Sequence, residues 1–157
     1  MMDLKWAVFY AQHVIRGRWP EAEPELMKSP MFAAQYAAYV IKGRWPEAEP
    51  YIARDAEMAT DYAAYNLKGR FPAAEALIAQ NPERAFIYAK RAVQGRWPEG
   101  EAVIATSPHW AFEYARQVLK RRWPEAEAVI QDSYWKDWDT YQELFVPAEE
   151  HKAWGDK

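Results

Sequence analysis

The sequence predicts an all-α fold, a right-handed α-solenoid of five 26-residue helix-turn-helix repeats followed by a sixth, divergent C-terminal unit. Three observations predict it. One seven-residue stretch, GRWPEAE in its commonest form, recurs at a constant spacing of 26 residues. A helix-capping residue stands fourteen positions before each copy, and the apolar residues between the two follow one helical face. Such internal repetition is the signature of stacked helical repeats.

The repeats divide the chain without any insertion. We expect a single domain over 1–157, with repeats at 3–28, 29–54, 55–80, 81–106 and 107–132 and a capping unit at 133–157. In the capping unit, a first helix over about 134–145 and a shorter closing helix over Pro147 to Trp154 are predicted.

The first helix of each repeat begins at a residue whose side-chain oxygen accepts from the free amides of the first turn. These residues are Asp3, Ser29, Asp55, Asn81, Ser107 and Ser133. In repeat 2 the apolar positions Ala33, Tyr36, Ala37, Val40 and Ile41 lie on one face. Gly17, Gly43, Gly69 and Gly95 are predicted to end this helix in the left-handed conformation. Arg121 replaces the fifth glycine, so Arg121→Gly is expected to stabilise the protein.

The GRWPEAE stretch is predicted to form a corner between two helices. Its proline opens a short second helix, and its glutamates lie in the first turn, where the exposed amides favour negative charge. The aromatic ring is expected to fill the wedge between the helices. The second glutamate is predicted to bind the arginine of the same stretch or the recurrent tyrosine hydroxyl of the first helix. The far end of the second helix is buried by Leu26, Ile52, Ile78, Ile104 and Ile130.

Units of the form Y-A-x-x-V-I-x-G-R-W-P-E-A-E resemble a family of short tandem-repeat proteins associated with bacteriophage genomes and viral metagenomes. The resemblance covers Asp3 to about Asp132, with departures at Phe71 and Arg121. It implies an α-helical repeat protein of phage origin, which would act in the host cytoplasm. It implies no catalytic activity.

The composition argues against several classes of function. No cysteine is present, and the net charge is −3. The apolar run from Trp6 to Ala11 is too short for a signal peptide or a membrane span. His13, His109 and His151 lack the spacing of metal ligands, and glutamates two residues apart on a helix point in different directions. We therefore expect a cytoplasmic protein that is not an enzyme and has no catalytic residue, metal or cofactor.

A nucleic-acid partner is the alternative that the sequence leaves open. Lysine or arginine recurs beside an aromatic ring in every repeat, and some RNA-binding proteins read one base per helical repeat. The alternative function is a sequence-tolerant binder of RNA or single strands. The adjacent glutamates cancel much of the positive field, so the sequence favours a protein partner.

The preferred prediction is a non-enzymatic binding or scaffold protein. The resemblance implies in addition that it is a phage product that engages a host protein. Aromatic residues flank the first helices of repeats 1–3, and the first repeat has no preceding repeat to cover it. Association with a protein partner, or self-association, is therefore expected at the N-terminal end. The predicted contact residues are Trp6, Phe9, His13, Phe32, Tyr39 and Tyr65. The alternative is that such rings pack between successive first helices.

Overall fold

The protein is built from helices that recur along the chain. The structure, a computed structural model, describes residues 1–153, and this range contains no β-strand. The helices follow a pattern of roughly 26 residues, as in an α-solenoid, which confirms the predicted fold class. The chain falls into two compact groups, Met1–Ile78 and Ala79–Lys157, called here the N-terminal half and the C-terminal half. The handedness and the single domain stay predictions.

In the N-terminal half, each first helix is an α-helix that continues into a wider π-helical turn. These helices are α1 (Leu4–Tyr10, then Ala11–Ile15), α3 (Pro30–Tyr36, then Ala37–Ile41) and α5 (Ala56–Asp61, then Tyr62–Leu67). The second helices are α2 (Glu23–Met27), α4 (Glu49–Ile52) and α6 (Pro72–Ile78). Because α1 packs against α3 and α3 against α5, first helices of successive repeats lie side by side.

The C-terminal half repeats this arrangement and then departs from it. Its helices are α7 (Pro82–Tyr88, then π-helical Ala89–Val93), α8 (Pro98–Ile104), α9 (Pro108–Tyr114, then π-helical Ala115–Leu119), a 3₁₀ turn (Pro124–Ala126), α10 (Glu127–Ile130), α11 (Trp135–Phe145) and a 3₁₀ turn (Ala148–Glu150). Helix α9 packs against both α7 and α11. Helix α11, which is the first helix of the divergent C-terminal unit, has no π-helical turn.

Four of the six predicted caps are confirmed by a side-chain bond to the backbone. The accepting residues are Asp3, Ser29, Asp55 and Asn81. Ser107 stands at the N-cap of α9 but makes no such bond. The prediction for Ser133 is wrong, because α11 begins at Trp135 with Tyr134 at its N-cap.

The prediction that glycine ends the first helix in the left-handed conformation is also wrong. The residue before each glycine position takes that role, with φ between 52° and 60°: Arg16, Lys42, Lys68, Gln94 and Lys120. In repeat 1 the N–H groups of Arg16 and Gly17 both donate to the Ala11 carbonyl. The last turn of the helix is therefore wider than an α-helical turn, and the left-handed residue is Arg16, one position before the glycine. The φ angles of the four glycines lie outside the left-handed region.

This geometry changes the expected effect of substitutions at the helix end. Lys42→Gly is expected to raise the free energy of unfolding by up to about 1 kcal/mol, because glycine adopts positive φ without a Cβ penalty. Lys42→Val is expected to lower it, because a β-branched side chain tolerates positive φ less well than the unbranched side chain of lysine. A Cβ on Gly43 would meet nothing within 4 Å, so Gly43→Ala serves as the control with little effect. Urea unfolding measures all three. A larger loss for Gly43→Ala than for Lys42→Val would contradict the assignment.

The premise of the stabilisation predicted for Arg121→Gly is wrong for the same reason. Lys120, with φ of 52°, is the left-handed residue of repeat 5, and Arg121 is not.

At Gly100 the constraint is space and not backbone conformation. A Cβ on Gly100 would lie 2.3 Å from Cε3 of Trp97, whose ring is fully buried. Gly100→Ala is therefore expected to lower the free energy of unfolding by about 1–3 kcal/mol through overpacking, despite the better helix propensity of alanine. Thermal unfolding measures the effect. The comparison is Ala126→Gly, the reverse change at the same position of repeat 5. A stabilised Gly100→Ala protein would show that the Trp97 ring moves aside easily.

The residues after α11 fold back over that helix. The Trp138 indole N–H donates to the Lys152 carbonyl at 3.1 Å, and the Gln142 side-chain amide donates to the same oxygen at 2.9 Å. Arg122 reaches Glu150 at 2.7 Å. The predicted closing helix is wrong in form, since this segment contains one 3₁₀ turn, Ala148–Glu150; Trp154 lies outside the described residues.

Candidate functional site

Each corner holds its arginine and second glutamate as a two-point ion pair, as the sequence predicts. Nε of the arginine donates to one carboxylate oxygen and Nη2 to the other, at distances between 2.5 and 3.1 Å. The pairs are Arg18–Glu23, Arg44–Glu49, Arg70–Glu75, Arg96–Glu101 and Arg122–Glu127. The arginines of the corners are thus engaged by the chain itself.

The glutamate also binds the tyrosine of the following repeat. The Tyr62 hydroxyl donates to Glu49 at 3.1 Å and accepts the backbone N–H of Trp45 at 2.7 Å. We call this set of arginine, glutamate, ring-residue N–H and next-repeat tyrosine the inter-repeat lock. Tyr36 completes the same lock in the N-terminal half. Tyr114 and Tyr141 complete it in the C-terminal half. The sequence suggested arginine or tyrosine as the partner, and the structure uses both.

The locks shift the pKa values of their members. The hydrogen bonds from arginine hold the pKa of each lock glutamate below its ordinary value, at Glu23, Glu49, Glu101 and Glu127. Burial raises the pKa of Tyr36 and of Tyr62 to about 12, and also raises the pKa of Tyr114 and Tyr141. At neutral pH each lock therefore holds a charged carboxylate and a neutral phenol.

The rings of the corners are packing groups. Trp45, Phe71, Trp97 and Trp123 are buried, which confirms the wedge predicted for them, whereas Trp19 is half-buried. Within residues 1–153, the indole N–H groups of Trp45 and Trp97 have no hydrogen-bond partner. Because Phe71 fills the same position without an N–H, volume rather than polarity is what the position requires.

At the N-terminal end, the predicted contact residues Trp6, Phe9 and His13 are exposed on α1 and its π-helical turn. Phe9 contacts His13, with ring centroids 4.5 Å apart. Trp6 stacks on Tyr10 at 4.6 Å and meets the edge of Trp19 at 6.1 Å, yet it stays 51% exposed.

Two shallow grooves extend this surface across the N-terminal half. His13 and Tyr39 line the groove between the first helices of repeats 1 and 2. Tyr39 and Tyr65 line the next groove, between repeats 2 and 3, and are 53% and 57% exposed. Phe32 is half-buried and lies outside both grooves. We call Phe9, His13, Tyr39 and Tyr65 the aromatic row.

Sequence reasoning missed part of this surface and left another part open. Met31, 43% exposed, lines the second groove with Met58. The signal was present, because Met31 precedes Phe32 on the outer side of the same turn. The alternative that flank rings pack between first helices holds within the C-terminal half, where Phe86 stacks on Trp110 with centroids 5.3 Å apart.

The described residues carry little that points to other kinds of site. Over residues 1–153, no three histidine or acidic side chains are grouped as a metal site would need. No helix in that range is both long enough and apolar enough to cross a membrane. Comparisons with protein-family models, curated proteins and solved structures find no match to this chain. What the helices and their recurrent locks define is a class, the helical-repeat proteins.

Proposed function

We propose that the protein is a non-enzymatic binding or scaffold protein that holds a protein partner on the aromatic row and the adjoining Trp6. The observation that carries the proposal is the exposure of Trp6, Phe9, Tyr39 and Tyr65, between 51% and 57%, on side-by-side helices. Exposed aromatic residues on a rigid support are typical of the centres of protein interfaces. The row also has a boundary, because its repeat positions become Arg91 and Gln117 later in the chain.

The resemblance to phage-associated repeat proteins extends the proposal to a bacteriophage product that binds a host protein in the host cytoplasm. The alternative, binding of RNA or single strands, has less support. In that alternative, the bases would stack on the corner rings beside the basic residues. Four of the five corner rings are buried, and the corner arginines are paired with glutamates.

Capture experiments with matched variants test the proposal. Tyr39→Glu and Tyr65→Glu place charge in the grooves, and Trp135→Glu places it on an equally exposed ring (54%) of the C-terminal half. All three should fold, as circular dichroism would show. We expect the unaltered protein and Trp135→Glu to retain the same partner from an extract of the native host, and the two tyrosine variants to lose it.

Equal retention by all variants would contradict the proposal. Binding to random RNA with an affinity that falls steeply with salt would instead support the nucleic-acid alternative.

A further inference from the structure

Tyr10 is the unused half of an inter-repeat lock. It stands 26 residues before Tyr36, and its ring lies 5.2 Å from Trp19, much as Tyr36 lies 5.0 Å from Trp45. The hydroxyls of Tyr36 and Tyr62 each accept one backbone N–H and donate to one glutamate. Over the described residues, the Tyr10 hydroxyl makes no such bond.

The surroundings of Tyr10 match this incomplete state. Tyr36, Tyr62, Tyr88, Tyr114 and Tyr141 are fully buried, whereas Tyr10 is half-buried. Trp6 covers one face of the Tyr10 ring by stacking at an interplanar angle of 19°, and about half of the Trp6 surface remains in solvent. A half-buried phenol, which can both donate and accept a hydrogen bond, thus lies beside a partly exposed indole.

A second copy of this chain does not supply the missing half from its own corners. Glu23, Glu49, Glu101 and Glu127 already accept a tyrosine hydroxyl and an arginine, and Glu75 is engaged as well. In the last repeat, α11 supplies Tyr141, so the corner of Arg122 and Glu127 is closed within the chain.

We propose that the Tyr10 face docks one further repeat of the R-W-P-x-x-E kind, presented by a separate polypeptide. The Tyr10 hydroxyl would accept the backbone N–H of that corner's ring residue and donate to its glutamate, which continues the interface seen between repeats 1 and 2. Trp6 would be covered by the incoming repeat. This inference rests on the proposed function, since it names the kind of partner that meets the N-terminal end.

A tethered repeat tests the chemistry without knowledge of the partner. A copy of residues 29–54 is inserted directly before Asp3 of the full chain, which preserves the 26-residue period. Tyr10→Phe is then made in the natural and in the extended chain. We expect no change of Tm in the natural chain and a fall of roughly 2–8 °C in the extended chain, where the hydroxyl would complete a lock.

An equal effect of Tyr10→Phe in the two backgrounds would overturn the proposal. Sedimentation of the unaltered protein tests the source of the incoming repeat: a dimer abolished by Tyr10→Phe would assign the face to a second copy and also overturn it, whereas a monomer agrees with a separate partner. Because the readouts are Tm and mass, failure here is distinguishable from failure of the capture experiment on Tyr39 and Tyr65.

Discussion

Tyr62→Phe is expected to lower the free energy of unfolding by about 1–3 kcal/mol, although it removes a single oxygen atom. The Tyr62 ring is fully buried, so solvent cannot replace the lost group. Without the hydroxyl, the buried N–H of Trp45 loses its acceptor, and Glu49 loses one of its donors. An unsatisfied buried donor costs more than the net value of a hydrogen bond, which makes this small change a severe one.

Two tyrosines of the N-terminal half supply the controls. Tyr39→Phe changes an exposed hydroxyl, and Tyr10→Phe changes the same repeat position where no lock is formed. Both variants should unfold at the same urea concentration as the unaltered protein. If Tyr10→Phe were as costly as Tyr62→Phe, the loss would come from the ring environment and not from the lock.

Acid is expected to destabilise the protein progressively below pH 4.5, the ordinary pKa of a glutamate. The pKa values of Glu23, Glu49, Glu101 and Glu127 are lower in the folded state, so the unfolded chain takes up protons first. The stabilisation is therefore complete above pH 4.5 and is lost as the pH falls through the folded-state pKa values. Urea unfolding between pH 7 and about pH 3 measures this decline.

Glu49→Gln should make the acid-dependent decline shallower, since one of the shifted groups is gone. Glu47→Gln, which changes the exposed first glutamate of the same corner, is the matched control and should leave the slope unchanged. Identical slopes for both variants would show that the locks do not cause the acid sensitivity. At the alkaline end, stability should fall as the pH rises from 10 through about 12, because burial raises the pKa of Tyr36 and Tyr62.

The sequence predicted most of the repeat because each feature has a local cause. The caps at Asp3 and Asp55, the buried Trp45 and the pairing of Glu49 follow from spacing and side-chain chemistry alone. The helix end was predicted wrongly because glycine is the usual left-handed residue. Here a wider turn places Lys42 in that conformation. The chemistry of a lysine side chain gives no indication of a left-handed backbone, so the sequence could not predict it.

The last repeat and the surface were harder to predict, because both depend on tertiary contacts. The period places Thr140 at the tyrosine position, yet Tyr141 completes the lock, and helix α11 starts late to permit this. Similarly, aromatic flank residues read alike in sequence. Phe86 stacks on Trp110 and is buried, while Tyr39 and Tyr65 are more than half exposed.

The locks also bear on how the chain folds. Within the lock of Glu49 and Tyr62, the joined residues are 5, 13 or 17 positions apart in sequence. Such short separations give a low contact order, which favours rapid folding, and they let one pair of repeats order before distant parts of the chain have met. Hydrogen exchange of the native protein should then show blocks of amides that open together about one repeat at a time, with the Trp45 amide among the slowest in its block.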